Sequence, residues 1–326
     1  MKKLFIMGLA AMGLALTACN SDETVEMAKG NAIGFKTFVN NSTRVATDAT
    51  TTDLKSFKVW GLMKKGDNNN TGTPFVATEV TKKDGTWSYT PPVYWEKGYA
   101  YSFVALAPND AYDFTAPTAI NTWGSLTFNN GTGEKDLIYA TAKQTTVEGN
   151  TCPAAVNLTF NHMLSRVRFQ FENGMDDGSK LTVSNVKITD AYTSGTATLA
   201  EQLTGLSWTT GQTTGALEFG DAAAMEQQNA KAETAHKYMI PADKAYNLTF
   251  TVTREHHGVT DTYNHTVTLP KIAMTQGLSY QFVAKFTAEN IIPGQVLCPI
   301  TFTAEVKDWG PWSDNALDVK KPATNN

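Results

Sequence analysis

Apolar and polar residues alternate one by one along much of this chain. In "NLTFTVTR", Leu248, Phe250 and Val252 share one face and threonines take the other. "ITFTAEV" repeats the arrangement with Ile300, Phe302, Ala304 and Val306, and "RVRFQF" sets Val167, Phe169 and Phe171 against Arg166, Arg168 and Gln170. A period of two, broken by Gly, Asn or Asp, predicts half-buried antiparallel strands. Helical periodicity is scarce. The best helical stretch, "GDAAAMEQQNAKAETA" from Gly220 to Ala235, lacks a regular apolar stripe, so loop and helix both stand.

The predicted strands form two groups. One runs from about residue 30 to 142 and holds the aromatic-rich "SFKVWG", "WSYTPPVYW" and "YAYSFVALAP"; the other runs from about 156 to 312. Between them "KQTTVEGNTCP" is polar and turn-rich, which places a boundary near residue 150. Several short strands per group predict two β-sandwiches, over 30–150 and 151–312. A tail over 313–326 offers only Leu317 and Val319 as apolar purchase.

The first twenty residues follow a different pattern. Lys2 and Lys3 precede an apolar run from Leu4 to Leu16, which reads as a signal peptide over 1–18. The run falls short of the roughly 20 residues a permanent membrane helix needs. Leu16-Thr17-Ala18-Cys19 resembles a bacterial lipobox, in which Cys19 is acylated and becomes the mature N-terminus. Ser21-Asp22-Glu23 resembles an acidic export tag of surface-exposed lipoproteins, within a linker over 19–29. These features predict an outer-membrane lipoprotein facing outward.

Composition narrows the class. The 326 residues carry a net charge of −4, and this acidic balance gives nucleic acid no basic face to bind. Charged residues make up 18%, below the usual roughly 25%. Forty-seven threonines fill that space, and their branched Cβ suits a strand's solvated face. Cys152 and Cys298 each begin a Cys-Pro string leading into a strand. In an oxidising compartment they could close a disulfide, or remain two separate buried thiols.

Catalytic chemistry finds little support. No nucleophile elbow or phosphate loop occurs, and Asp84, Asp110, Asp176 and Asp177 sit on expected turns. His256-His257-Gly258 marks a hairpin turn, across which His257 and His265 would both face solvent. Imidazoles without Cys or carboxylate at ligand spacing are a poor metal set. The reading is a non-enzymatic protein with no cofactor and no metal. Its seven tryptophans suit a sandwich core better than sugar platforms.

An ordered set of motifs resembles the fimbrillin family, lipoprotein subunits of Bacteroidales type V pili. After the lipobox come "STRVATDATTTDLKSFKVWGL", "WSYTPPVYWEKGYAYSFVALAP", "DLIYATAKQTT", "VNLTFNHMLSRVRFQF" and a closing "VKDWGPW". The resemblance implies an all-β fold of two transthyretin-like antiparallel β-sandwich domains behind a lipoprotein signal peptide. It also implies a structural subunit, shaft or tip, assembled with other pilus subunits by donor-strand exchange. His162 matches the family's histidine and reads as packing.

The residues give that role a physical route. Ile33, Phe35 and Val39 share one face of a first strand over 31–40, and Arg44 follows in a polar loop. Of the four arginines, Arg166 and Arg168 lie within a strand and Arg254 beside a tight turn, so Arg44 suits a protease best. The resemblance implies that a cut at Arg44 releases the leader with the first strand; that removal would open a groove for a neighbour's strand, with the segment around 296–306 a candidate donor. A pilus so built reaches host glycans or proteins. The rival reading is a carbohydrate-binding surface lipoprotein with exposed, coplanar aromatics.

Overall fold

The computed structural model describes residues 32–39, 53–66, 71–145, 155–292 and 299–308. The chain is all-β, with one short helix, α1 (Ala288–Ile291), and one 3₁₀ turn among these residues. No helix among them is long and apolar enough to cross a membrane. Its strands begin with β1 (Phe35–Val39), β2 (Ser56–Lys65), β3 (Thr71–Lys83), β4 (Thr86–Ser88), β5 (Tyr99–Ala107), β6 (Tyr112–Thr115) and β7 (Ser125–Asn129). There follow β8 (Ile138–Thr145), β9 (Val156–His162), β10 (Ser165–Asn173), β11 (Lys180–Tyr192), β12 (Ser194–Thr198), β13 (Ser207–Thr210), β14 (Thr214–Gly220) and β15 (Lys231–Glu233). The last are β16 (Lys237–Met239), β17 (Asp243–Lys244), β18 (Asn247–His256), β19 (Val259–Thr268), β20 (Ile272–Ala273), β21 (Leu278–Phe286) and β22 (Thr303–Asp308). The segment after Gly220 forms no helix.

Seven strands make the first sheet, in the order β1-β9-β8-β5-β2-β3-β4. One of its faces encloses an aromatic core that includes Phe35, Phe57, Phe75, Trp87, Phe103 and Phe160. The opposite face of β5 and β8 packs Val104, Leu106 and Tyr139 against the sheet β13-β12-β7-β6. Strand β5 is thus buried on both faces, which explains why "YAYSFVALA" reads as a nearly unbroken apolar run.

A second sandwich stacks β15-β10-β21-β22 on β14-β11-β18-β19. Val167, Phe169 and Phe171 of β10 enter its core beside Phe250, Phe282 and Phe302. The other face of β10 is also buried, because Arg168 donates to Gln281 Oε1 at 2.6 Å and to Glu233 Oε2 at 2.5 Å. Burying such a cation requires partners of this kind. The β18–β19 hairpin turns at His257 and Gly258, both at positive φ, as a two-residue turn requires.

Two features depart from simple antiparallel sandwiches. Strand β1 runs parallel to β9, and β10 runs parallel to β21. Parallel partners need long connections, so no local turn signal announces them. Pairing also crosses residue 150: β9 completes the first sheet, while β12 pairs with β7.

Candidate functional site

The first strand occupies an edge of the seven-stranded sheet, and its inward residues are sealed. Ile33 and Phe35 are both 0% exposed. Burying side chains of this size stabilises by roughly 1.5–3 kcal/mol each. The rings of Phe57, Phe75, Tyr89 and Phe103 surround Phe35 at centroid distances of 5.5–6.0 Å. Most of these pairs meet edge-on, the arrangement that ring quadrupoles favour.

The backbone at the start of this segment is bonded on two sides. The Val156 amide donates to the Gly34 carbonyl, and the Ile33 amide donates to the Val93 carbonyl, each at 2.8 Å. Ala32 forms an antiparallel bridge with Tyr94. The Tyr89 hydroxyl donates to the Ile33 carbonyl, also at 2.8 Å. Burial pushes the Tyr89 phenol up to about 12, so it stays protonated and able to donate. Beyond Phe35 the strand's one paired neighbour among the described residues is β9, with Thr37 opposite Leu158 and Val39 opposite Phe160.

Thr37 differs from the residues before it. It is buried, and its hydroxyl has no hydrogen-bond partner among the described residues. Unpaired buried hydroxyls cost free energy, about 1–3 kcal/mol.

The C-terminal segment has a related seat in the second sandwich. Ile300 and Phe302 are buried, and Phe302 meets Phe169, Phe171 and Phe250 at 6.1–6.3 Å. Strand β22 is an edge strand bonded to β21. A cleft of about 690 Å³, lined by His265, Val267, Ile300 and Phe302, opens beside it. The inward spacing matches that of the first strand: Ile33, Phe35 and Thr37 against Ile300, Phe302 and Ala304.

Other expected residues fall as follows. Cys19, Arg44, Cys152 and Cys298 lie outside the described residues, as does the side chain of Val39. His162 is buried, with Nδ1 2.9 Å from Asp136 Oδ2, a structural pair that holds the end of β9. His265 does not face solvent with His257; its ring stacks on Phe250 at 5.3 Å, and burial lowers its pKa. The sequence carried that signal, because His265 shares its strand face with Val267.

Asp177 is held by Arg254 at 2.6 Å and by the Ser179 amide at 2.9 Å. No group of three His, Cys, Asp or Glu among the described residues could hold a metal. Trp87, Trp95 and Trp123 are buried, while Trp60 packs on Phe114 and Trp208 donates to the Met163 carbonyl. Tyr89, Asp136 and Thr37 escaped the sequence reading. Their roles depend on partners distant in sequence.

Comparison with known proteins adds a lineage to this geometry. A proposed cell adhesion protein from Bacteroides ovatus shares the fold at TM-score 0.50 and 15% identity, covering 85% of this chain and 97% of that one. Another, from Bacteroides eggerthii, is similar at TM-score 0.46 and 10% identity, covering 86% and 97%. No curated protein matches the chain. The profile of the fimbrillin-like family matches residues 43–309, and the chain therefore belongs to that family.

Proposed function

We propose that this protein is a structural subunit, shaft or tip, of a surface pilus, in which β1 is a placeholder for another subunit's strand. The observation that carries this reading is the complete burial of Phe35 in an edge strand and of Ile33 just before it. Taking them away would leave an aromatic slot beside the unpaired edge of β9, and a strand can fill such a slot by β-augmentation. The family membership and a neighbour described as a proposed cell adhesion protein agree with a surface role.

In this reading acylated Cys19 holds the unprocessed chain at the outer membrane, and a cut at Arg44 frees the leader with β1. The incoming strand is the 300–306 segment of a second copy, whose Ile300 and Phe302 reproduce the spacing of Ile33 and Phe35. That contact is head-to-tail, so it propagates as a filament and does not close. A tip position would present the protein to host glycans or proteins. No catalytic step is involved.

Arg166 and Arg168 are buried and Arg254 is bound to Asp177, which favours a selective cut elsewhere. Treatment of the full chain with an Arg-specific protease, followed by an unheated gel, should give a ladder of oligomers. The Arg44→Ala variant should stay monomeric under the same treatment. Cleavage at Arg44 that yields only monomer would refute self-assembly.

A further inference from the structure

The inward side chains of β1 and of the segment entering it fit their seat unequally. Ile33 and Phe35 meet apolar and aromatic neighbours, and the Ile33 carbonyl receives the Tyr89 hydroxyl. Two residues on, the Thr37 side chain faces the same way and is 2% exposed, and its hydroxyl has no partner among the described residues. A strand with an apolar side chain at that position would bury no orphaned hydroxyl. When 300–306 is aligned by Ile300 on Ile33 and Phe302 on Phe35, the residue at the Thr37 position is Ala304.

We propose that Thr37 is a built-in weakness of the resident strand, which biases its replacement by a strand presenting an apolar residue there, supplied by a second copy of this chain. The inference rests on the strand-replacement reading above and adds the residue that sets its direction. The segment 32–34 leading into β1 is anchored on two sides, whereas β1 itself, with Thr37 at its middle, is bonded among the described residues to β9 alone. Opening therefore starts at Thr37 and proceeds toward Phe35.

Hydrogen exchange on the uncleaved full chain tests the weakness without any assembly step. Thr37→Val keeps the shape and removes the hydroxyl; it should slow exchange of the β1 amides about tenfold, whereas Thr37→Ser should give no such protection. Equal exchange in Thr37→Val and the parent would overturn the inference, even if the parent polymerises. A second arm adds a labelled peptide of residues 299–308 to the protease-treated chain. The peptide should bind, and its Ala304→Thr version should bind about tenfold more weakly. Equal binding of the two peptides would also overturn the inference. Slowed exchange in Thr37→Val with no capture of either peptide would instead refute strand replacement, leaving the weakness at Thr37 standing.

Discussion

The Tyr89 hydroxyl and the Ile33 carbonyl meet at 2.8 Å across 56 residues of sequence. This bond fixes the entry of β1 where the strand is otherwise held only by backbone pairing and packing. Tyr89→Phe keeps the ring beside Phe35 and removes the donor. Stability should fall by about 1 kcal/mol in chemical denaturation, and exchange at the Ile33 amide should rise.

Phe35 is the larger anchor. Phe35→Ala would leave a cavity among four rings and should cost about 3–5 kcal/mol, read from a denaturation midpoint. If β1 detaches independently, the loss will appear in β1 exchange while β10 and β21 keep their protection.

Gly61 tests the same pocket from its wall. A Cβ there would lie 2.9 Å from Phe75 Cδ2 and 3.2 Å from Phe103 Cδ1, the two rings that cradle Phe35. Gly61→Ala should destabilise the fold by about 1–3 kcal/mol and loosen β1, measured by thermal melting and exchange.

Acid should act through two groups in separate windows. Burial, reinforced by the nearby Arg166 charge, depresses His236 to about 4 against Asp136. The unfolded chain binds that proton first, so stability falls as pH drops from about 6.5 to about 4, by about 3 kcal/mol at most. Burial alone would raise Asp177, but bonds from Ser179 and Arg254 outweigh it and hold the group at about 2. Its contribution is present above the usual carboxylate pKa and is lost only as pH falls toward 2. Urea melts across pH 2–7 should show both steps, and His236→Phe should shrink the upper one, to which the partly buried His265 contributes in the same direction.

Much of this architecture was legible from periodicity. The faces of β18, β10 and the first strand follow the alternation of Leu248, Phe250 and Val252, of Val167, Phe169 and Phe171, and of Ile33 and Phe35. The His257-Gly258 turn followed from local chemistry as well. Pairing was not legible, because period two states which face is buried and not against which strand. Hence β1 parallel to β9, and β9 inside the first sheet, lay beyond the sequence. The Asp136–His162 contact was hidden for the same reason, its members standing 26 residues apart. Alternation alone places Thr37 on the face of Ile33 and Phe35; that its buried hydroxyl finds no partner among the described residues shows only in the fold.

The parallel pairing of β10 with β21 also governs when the molecule can mature. The Arg166 side chain of β10 finds Ser279 at a separation of 113 residues, so β10 waits for most of the polypeptide to emerge. Contacts so remote in sequence form slowly, and until then Phe169 and Phe171 are a sticky strip on an unfinished chain. A chain growing from its N-terminus can therefore build its aromatic first core while the later half still needs shielding, which makes the interval between the appearance of β10 and that of β21 the point of greatest aggregation hazard.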